Sequence, residues 1–578
     1  MTYNTTNAII YVVIIAIKHV VILTFLVCVE GDKILDFQTN PLGQPPGNLL
    51  DKMGLTIEWF STTQLTRKTR RNTIMSGKYF LGIDQGTTGT TSLLLDSEWK
   101  VRGKGYIEIK QIFPQPGWVE HNALELFQSI LETSGQAIKQ AAICADDIAS
   151  IGIDNQGETV VAWDSETGLP LYNAIVWQDK RTSAYAEQLK EKYGGLVGER
   201  TGLQVGSYFS ATKIRWLLDN VPEVKIARQR GTLMVGSTDT WFIWKLTGNY
   251  VTDVTTASRT MLLNIHTGKW DRDILDILEI PVSILPAIRD CDKLDSVTQP
   301  EVFFGARVPV GGSMVDQQAA LLGQGCVQRG FVKTTYGTGC FMLMNTGDSP
   351  VNSGNGLLTT IAWQAGGRRD YALDAGIYVA GSAIQWLKNS LGLIQSAKEM
   401  GPLSMSVPDN GGVYFVPAFS GLAAPYWDEY ARGTMVGLTA ASTKAHIARA
   451  VQEGVAYQVC DNAAIMEKDA SVKIRAMRVD GGMVVDKFLM QFQSDILGIP
   501  VEIPEISECT ALGAAYIGAL GAGVLDSLQS CQKYWRKAMH YEPSMSADQR
   551  ESLLYQWRRA VERSKSWIES TNTLVEPR

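Results

Sequence analysis

The segment from Asp84 to Thr91 reads Asp-Gln-Gly-Thr-Thr-Gly-Thr-Thr and directly follows an apolar run. Glycine lets a backbone approach a ligand closely, and successive N–H groups and threonine hydroxyls can surround phosphate oxygens. The carboxylate of Asp84 suits hydrated Mg²⁺, which prefers oxygen ligands. An ordinary tight hairpin has a similar composition, so this segment alone leaves both interpretations open.

A second turn of the same kind, Tyr336-Gly337-Thr338-Gly339, strengthens the phosphate interpretation. Two such turns that face each other across a cleft would suit a triphosphate. The Walker A pattern G-x-x-x-x-G-K-[ST] is absent from the sequence. The two turns therefore predict a phosphate site that is built differently from a P-loop.

Asp316 lies after Gly311-Gly312 and before a run of small residues with helical spacing. An aspartate at the start of a helix commonly serves only as a cap. Its alternative role is that of a general base, which takes a proton from a substrate hydroxyl during phosphoryl transfer. The spacing alone favours the cap.

Two further polar turns follow apolar runs. The strand-like run that starts at Met477 ends in Asp480-Gly481-Gly482, a turn that could admit a flat base and a ribose at a sheet edge, or serve only as a glycine turn. The segment from Ile153 to Asp164 places Gln-Gly-Glu between two apolar runs. A polar turn of this kind between two strands indicates a ligand contact.

The elements that must position these turns alternate between strands and helices from Tyr79 onward, which predicts a mixed α/β fold. Predicted strands are Tyr79–Ile83, Ser92–Asp96, Ile148–Asp154, Val160–Asp164, Phe331–Thr335 and Cys340–Asn345, and predicted helices are Leu124–Ile143 with Asn122 as N-cap, Ser183–Tyr193 and Thr212–Asn220. The two Gly/Thr hairpins indicate an internal duplication. A boundary near Gly323 predicts an N-terminal domain of residues 78–322 and a C-terminal domain of residues 323–578.

The composition excludes several classes of protein. Of the 578 residues, 45% are hydrophobic and 19% are charged, as in ordinary globular proteins. The net charge of −6, with no basic tract after residue 75, argues against a nucleic-acid partner. Eight cysteines without a C-x-x-C pair indicate reduced thiols, and five scattered histidines argue against a histidine metal site.

Residues 1–75 form a separate apolar extension. Ala8–Ile17 and Val20–Val29 are apolar and are interrupted by Lys18-His19, so a membrane-spanning helix of about 20 residues would be marginal. If this helix inserts, the later basic residues favour a body on the cytoplasmic side. The favoured interpretation is an extension outside the folded enzyme, with Met75 as a natural start and a cytoplasmic location.

Several longer segments carry a resemblance to the FGGY carbohydrate kinases and, within that family, to the glycerol kinases, from Tyr79 to about Trp567. These segments are Gly117–His121, Tyr336–Gly347, Asn355–Ile361, Ala424–Asp428 and Phe488–Gly498. The first family signature fits Tyr208–Asn220, with Lys213 and Trp216 in place, and the second fits Gly433–Glu453 except at Gln452, where the pattern has an apolar residue.

The resemblance implies a two-domain actin-like, ribonuclease-H-like fold that closes on ATP-Mg²⁺ and a polyol. It implies that Asp316 is the catalytic base and that Asp84 and Asp316 lie at the metal. The implied ATP-binding residues are Thr87, Thr88, Gly89, Thr338, Gly339, Gly381, Gln385, Gly482 and Asp486. The implied substrate-binding residues are Gly157, Glu158, Trp177, Tyr208, Asp316, Gln317 and Phe341.

Some positions depart from the family pattern. Glycerol kinases usually carry an arginine at the position of Gly157, which contacts substrate hydroxyls, and its loss would cost about 1.5–3 kcal/mol, or about 10- to 100-fold, if nothing replaces it. Thr91 replaces an arginine near the phosphates, and Asp486 replaces an asparagine near the base. The regulatory Gly-Gly-Thr-Arg loop of some glycerol kinases is reduced here to Gly305-Ala306-Arg307. Tyr250 stands where some relatives carry a phosphorylatable histidine. These departures argue against regulation by fructose 1,6-bisphosphate or by the phosphotransferase system.

The resemblance thus implies ATP-dependent phosphorylation of a terminal hydroxyl of glycerol, in a homo-oligomer (dimer or tetramer). One alternative is a kinase for erythritol, xylitol, ribulose or xylulose that uses the space left free at Gly157. A more distant alternative is a non-catalytic actin-like protein that binds ATP. The presence of Asp84, Asp316 and Thr338 together favours an enzyme.

Overall fold

The computed structural model describes residues 78–568 and three strands that precede them. The chain divides into two compact units, Met1–Thr73 and Ile74–Arg578. In the first unit, β1 (Ile9–Ile17), β2 (Val20–Val29) and β3 (Lys33–Gln38) form an antiparallel sheet in that order. The helical alternative for this segment is therefore wrong, because the apolar runs on either side of Lys18-His19 pair as strands. No helix among the described residues is long and apolar enough to cross a bilayer.

The second unit contains two large sheets and several small ones. Its strands are β4 (Tyr79–Gln85), β5 (Gly89–Leu95), β6 (Val101–Glu108), β7 (Glu120–His121), β8 (Ile148–Asn155), β9 (Val160–Asp164), β10 (Ala174–Ile175), β11 (Leu233–Ser237), β12 (Val251–Asp253), β13 (Leu263–Asn264), β14 (Lys269–Trp270), β15 (Ala287–Arg289), β16 (Ser296–Val297), β17 (Pro309–Val315), β18 (Val332–Tyr336), β19 (Cys340–Gly347), β20 (Leu358–Ala365), β21 (Arg368–Ile377), β22 (Tyr414–Val416), β23 (Thr434–Val436), β24 (Met477–Asp480), β25 (Val501–Pro504) and β26 (Lys537–Tyr541).

The second unit also contains helices, several of which pack on the faces of these sheets. They are α1 (Ala123–Ala141), α2 (Ser183–Thr201), α3 (Ser210–Asn220), α4 (Pro222–Arg230), α5 (Thr238–Thr247), α6 (Val254–Ser258), α7 (Arg272–Ile277), α8 (Asp316–Gly323), α9 (Gly381–Asn389), α10 (Met400–Met405), α11 (Lys444–Ala470), α12 (Lys487–Leu497), α13 (Cys509–Gly521), α14 (Leu528–Tyr534) and α15 (Ala547–Ser564).

The two large sheets repeat one topology, which supports the predicted duplication. The first sheet has the order β16-β17-β8-β4-β5-β6, and the second has the order β20-β21-β19-β18-β24-β25-β26. In each, an antiparallel hairpin (β4–β5 or β18–β19) pairs through its first strand with a parallel strand, β8 or β24. A second parallel strand, β17 or β25, follows in each sheet. The two predicted Gly/Thr turns therefore occupy equivalent positions in the two sheets.

Helix α13 lies close against the first sheet, although it belongs to the C-terminal part of the chain. A Cβ on Gly82 would lie 1.9 Å from the carbonyl oxygen of Ala511, and a Cβ on Gly152 would lie 1.7 Å from that of Ala514. Only glycine permits this approach of helix and strand backbones. The close contact fixes β4 and β8, and with them the residues at their carboxyl ends.

Most predicted elements are confirmed with small shifts in their bounds. Helix α1 begins one residue before the predicted Leu124, and the side chain of Asn122 accepts from the N–H groups of Leu124 and Glu125. The predicted turn from Gly86 to Thr91 is shorter in the structure, because β5 already begins at Gly89. The strands before and after Gln156-Gly157-Glu158 lie in different sheets, so this turn connects two layers.

Candidate active site

Three aspartates lie at the carboxyl ends of neighbouring parallel strands. Asp84 on β4 is the register partner of Asp154 on β8, and Asp154 lies opposite Met314 on β17. Asp316 follows the last residue of β17 and begins α8. The carboxyl edge of an open α/β sheet is a usual position for a ligand site. The sheet thus brings the predicted base and the predicted metal ligand to one edge.

Burial dominates the electrostatics of these carboxylates. It raises the pKa of Asp84 to about 7, and it raises the pKa of Asp154 well above the ordinary value, with a further contribution from the charge of Asp84. Neither carboxylate oxygen of Asp154 accepts a hydrogen bond from the described residues. A cation placed beside this edge would favour the ionised forms of these groups.

The set of oxygen ligands fits Mg²⁺. Among the described residues, no group of three or more His, Cys, Asp or Glu side chains could hold a metal ion by itself. Mg²⁺ ordinarily binds through one or two carboxylates and completes its shell with water and substrate phosphates. Asp84 and Asp316 could supply these carboxylates, with substrate phosphates and water as the remaining ligands.

Asp316 is the first residue of α8, and Val315 occupies the N-cap position without a side-chain cap. The carboxylate accepts the N–H of Gln317 at 2.7 Å. Burial raises its pKa, while the charge of Lys333 lowers it. The Nζ of Lys333 donates to the side chain of Gln317, so this buried lysine and Gln317 adjoin the carboxylate.

Each Gly/Thr turn is closed by a backbone hydrogen bond between its two glycines, which lie three positions apart in the first turn and two positions apart in the second. The N–H of Gly86 donates to the carbonyl of Gly89 at 3.0 Å, and the N–H of Gly337 donates to that of Gly339 at 2.8 Å. Thr88 and Thr338 are exposed at the tips of the turns. Their hydroxyls are therefore accessible to a ligand, as the phosphate interpretation requires.

Helix α9 starts directly against the second turn. The N–H of Ala380 donates to the carbonyl of Thr338 at 2.9 Å, and the N–H of Gly381 donates to that of Gly337 at 3.0 Å. A Cβ on Gly381 would lie 2.6 Å from the Gly337 carbonyl oxygen, which explains the glycine. Gln385 is exposed one turn further along α9.

The predicted base-binding turn also lies against this hairpin. Gly481 has a φ of +94°, and a Cβ there would lie 2.4 Å from the carbonyl oxygen of Tyr336. Gly482, beside it, is exposed and has open space where a side chain would be. The turn after β24 and the hairpin of β18 thus lie together, as the resemblance implies for a nucleotide pocket.

Asp486 is the N-cap of α12 and accepts from the N–H groups of Phe488 and Leu489. Its other oxygen accepts from Nε2 of Gln452 at 2.6 Å. The Gln452 oxygen in turn accepts from the Ser404 hydroxyl at 2.5 Å. Two departures from the family pattern, at positions 452 and 486, are therefore partners in one contact.

The predicted polyol residues Trp177 and Tyr208 adjoin each other and the first phosphate turn. Their ring centroids are 5.3 Å apart, and the indole N–H of Trp177 donates to the Thr87 hydroxyl at 2.8 Å. Nζ of Lys213, which is fully buried, donates to the carbonyls of Tyr208 and Phe209 at 2.6 and 3.0 Å. Burial lowers the pKa of Lys213 to about 7. Lys213 therefore fixes the backbone that carries Tyr208.

The Gly117–His121 motif contacts the segment that carries Trp177. The buried guanidinium of Arg181 lies 2.7 Å from Glu120 and 2.8 Å from Asp179, and it stacks over the Trp118 ring at 3.8 Å. Asp179 follows Trp177 by two residues. The motif thus acts as a scaffold for the tryptophan.

Glu158 is buried and pairs with a residue that the sequence patterns did not single out. The Nε of Arg259 donates to Glu158 Oε1 at 2.7 Å, and its Nη1 donates to Asp374 Oδ2 at 2.9 Å. Burial raises the pKa of Glu158, and the charge of Arg259 lowers it. Glu158 comes from the first half of the chain and Asp374 from β21 in the second, so Arg259 joins the two halves here.

Gly157 has no free space beside it, which corrects the expectation of vacated volume. A Cβ at this position would lie 2.2 Å from Cγ2 of Val315. Gly157 does not have a positive φ, so its backbone does not itself require glycine. Any side chain at position 157 would therefore meet Val315, the residue before Asp316.

The remaining predicted residues lie on the same elements. Phe341 is half-buried on β19, opposite Thr335 and Gly376 in the two neighbouring strands. Thr91, the other departure near the phosphates, lies on β5 and is the register partner of Asp84 on β4.

Sequence reasoning missed Asp154, Arg259, Val315 and Lys333. A signal was available for Asp154, which ends a strand as Asp84 does. Lys333 was visible as a lone charge within a strand pattern. Arg259 and Val315 gave no local signal, because their contacts are with residues far away in the chain.

Comparison with known proteins agrees with this geometry. Residues 79–323 match the N-terminal domain of the FGGY family of carbohydrate kinases, and residues 332–522 match its C-terminal domain. Glycerol kinase 2 of Thermotoga maritima is 49% identical over 493 residues, which cover 85% of this chain and 99% of that protein. The glycerol kinase of Oleidesulfovibrio alaskensis is 49% identical over 495 residues, with the same coverage of 85% and 99%.

Solved structures show the same fold. A glycerol kinase of Plasmodium falciparum with ADP aligns with a TM-score of 0.80 at 36% identity and covers 84% of this chain and 98% of its own. A ligand-bound xylulose kinase of Lactobacillus acidophilus aligns with a TM-score of 0.75 at 23% identity, with coverage of 84% and 97%, and shares the fold. The predicted mixed α/β, two-domain sugar kinase fold is thus confirmed. The chain belongs to the FGGY family of carbohydrate kinases.

Proposed function

We propose that this enzyme transfers the γ-phosphoryl group of ATP to a terminal hydroxyl of glycerol, giving sn-glycerol 3-phosphate and ADP. The observation that carries the proposal is the position of Asp316, a half-buried carboxylate at the sheet edge that also carries Asp84. The 49% identity to two bacterial glycerol kinases favours glycerol as the polyol.

In the proposed reaction, Asp316 accepts the proton of the terminal hydroxyl, and that oxygen attacks the γ-phosphorus in line. The bond from the γ-phosphorus to the bridging oxygen breaks, and ADP leaves with its electrons. The exposed hydroxyls of Thr88 and Thr338 and the N–H groups of both turns would stabilise charge on the phosphate oxygens. Bound Mg²⁺, held by Asp84 and Asp316, would neutralise phosphate charge.

The polyol would lie between Trp177, Tyr208 and Phe341, with Glu158 and Gln317 as polar contacts. Glu158 can accept a hydrogen bond from a substrate hydroxyl through the oxygen that Arg259 does not occupy. Gly381, Gln385 and Gly482 would line the nucleotide pocket, and Asp486 would shape it through its contact with Gln452. Gly89, whose Cβ would lie 2.6 Å from the Tyr106 ring, would keep the first phosphate turn tight.

A kinase for a longer polyol or a ketose was the nearest alternative, and it depended on free space at Gly157. Val315 Cγ2 occupies the start of that space, which argues against this alternative. The alternative of a non-catalytic ATP-binding protein would use Asp316 only at the metal, and it would not need the aromatic residues Trp177, Tyr208 and Phe341.

A coupled assay of ADP release with glycerol, erythritol, xylitol, ribulose and xylulose tests the proposal. We expect the highest kcat/KM with glycerol and complete loss of turnover when EDTA removes divalent cations, with recovery on addition of Mg²⁺. Higher kcat/KM with a four- or five-carbon substrate would overturn the choice of glycerol. Absence of turnover with all five would overturn the proposed reaction.

A further inference from the structure

The polyol site has no cation at position 157, and a side chain there would require Val315 to move. A side chain at 157 would begin 2.2 Å from Val315 Cγ2. The loss of an arginine donor at this position would be severe unless another residue replaces it. A replacement must bring a guanidinium or ammonium group next to Glu158.

Arg259 meets this requirement. Its Cβ lies 3.6 Å from the position that a Cβ on Gly157 would take, so the two side chains would start from adjacent points. Its guanidinium reaches Glu158 and lies 6.0 Å from the Tyr208 ring centroid and 5.5 Å from that of Phe209. It therefore lies among the residues that line the proposed polyol site.

The hydrogen bonds of Arg259 leave donors available. Nε and Nη1 donate to Glu158 and Asp374, while Nη2 donates to none of the described residues. Two carboxylates from different parts of the chain hold the planar group in one orientation. A guanidinium fixed in this way loses little entropy when it binds a hydroxyl.

We propose that Arg259 is a substrate-binding residue, which donates a hydrogen bond from its guanidinium to a hydroxyl of the polyol and so replaces the cation that position 157 lacks. The inference rests on the proposed phosphorylation of glycerol. In this arrangement Glu158 accepts a hydrogen bond from the polyol and Arg259 donates one to it. One ion pair would then recognise hydroxyl groups both as donors and as acceptors. A purely structural ion pair would make no contact with substrate.

The test compares wild type and Arg259→Lys on glycerol, on 1,3-propanediol, which lacks the central hydroxyl, and on 1,2-propanediol, which lacks one terminal hydroxyl. Lysine keeps the charge for Glu158 but cannot serve both carboxylates and the substrate. Wild type should lose about 10- to 100-fold in kcat/KM on removal of the recognised hydroxyl. In Arg259→Lys that penalty should shrink by about tenfold for at least one of the two diols, with KM for ATP nearly unchanged.

Arg215→Lys is the matched control, because Arg215 also pairs with two acidic residues, Asp219 and Glu279, on an exposed surface. It should keep the wild-type penalties for both diols. Unchanged penalties in Arg259→Lys would overturn the role of Arg259, whereas a wild type that does not phosphorylate glycerol would overturn the proposed function instead.

A second measurement does not depend on a variant that folds. A crystal structure of the wild-type enzyme with glycerol and a non-hydrolysable ATP analogue should place a guanidinium nitrogen of Arg259 within about 3.2 Å of a glycerol oxygen. A glycerol molecule bound next to Asp316 with no contact to Arg259 would overturn the inference.

Discussion

The indole N–H of Trp177 donates a 2.8 Å hydrogen bond to the hydroxyl of Thr87. The bond joins the aromatic wall of the proposed polyol site to the first phosphate turn. A change in the position of either residue should therefore affect the binding of both substrates.

Trp177→Phe keeps an aromatic ring but removes this donor. Since a hydrogen bond of this kind contributes about 0.5–1.5 kcal/mol, we expect kcat/KM for glycerol and for ATP to fall by about 2- to 10-fold. Steady-state kinetics with each substrate varied in turn would measure both effects. Trp270→Phe is the control, because it removes a 3.0 Å bond to the Pro286 carbonyl elsewhere in the fold. Equal losses in the two variants would contradict a specific role for the Trp177–Thr87 contact.

Gly157 and Val315 should behave as one steric unit. Gly157→Ala places a methyl group in the space of Val315, and overpacking of this kind costs about 1–3 kcal/mol. Val315→Ala removes the clashing methyl group, so the double variant should recover about 1 kcal/mol or more relative to the sum of the single variants. Denaturant unfolding of the four proteins measures this coupling.

Two controls separate this pair from general effects of the substitutions. Gly195→Ala adds a methyl group where nothing lies within 4 Å, so its unfolding free energy should not fall. Val310→Ala, on the same strand as Val315, should not relieve Gly157→Ala. Additive effects of Gly157→Ala and Val315→Ala would show that Val315 is not the reason for the glycine.

Gln452 and Asp486 should also be coupled. Gln452→Leu restores the family's apolar residue but leaves a half-buried oxygen of Asp486 without its donor, and Asp486→Asn restores the family's asparagine. We expect each single variant to lose stability and the double variant to show a coupling of about 0.5–3 kcal/mol. Thermal unfolding and KM for ATP measure the effect, and strictly additive changes would argue that the two departures arose independently.

Removal of residues 1–74 tests whether the first unit is dispensable. Residues 1–73 and 74–578 form separate compact units, so a chain that starts at Met75 should fold and retain kcat/KM for glycerol. Melting temperature and steady-state kinetics of the two chains decide the question. A shortened chain that fails to fold would show that the extension belongs to the enzyme.

The sequence predicts the local parts of this site well. The hairpin turns, Asn122 as a cap and the strand before Asp84 depend on neighbours in the chain, so residue type and spacing are sufficient. The pairing of Arg259 with Glu158 joins residues 101 positions apart, and no local pattern indicates it. For Gly157, the absence of a side chain was visible, but the residue that fills its place, Val315, was not. The sequence therefore shows each departure from the family pattern by itself. The residue that compensates for a departure can be identified only from the structure.

The most direct test of the account is the product formed from ATP, Mg²⁺ and glycerol by wild type and by Asp316→Asn. Wild type should yield glycerol 3-phosphate and ADP in equal amounts. Asp316→Asn should lose about 10²- to 10⁴-fold in kcat, because the general base is gone, while ADP binding measured by calorimetry remains close to that of wild type. Turnover by Asp316→Asn at the wild-type rate, or a wild type that forms no glycerol 3-phosphate, would contradict the account.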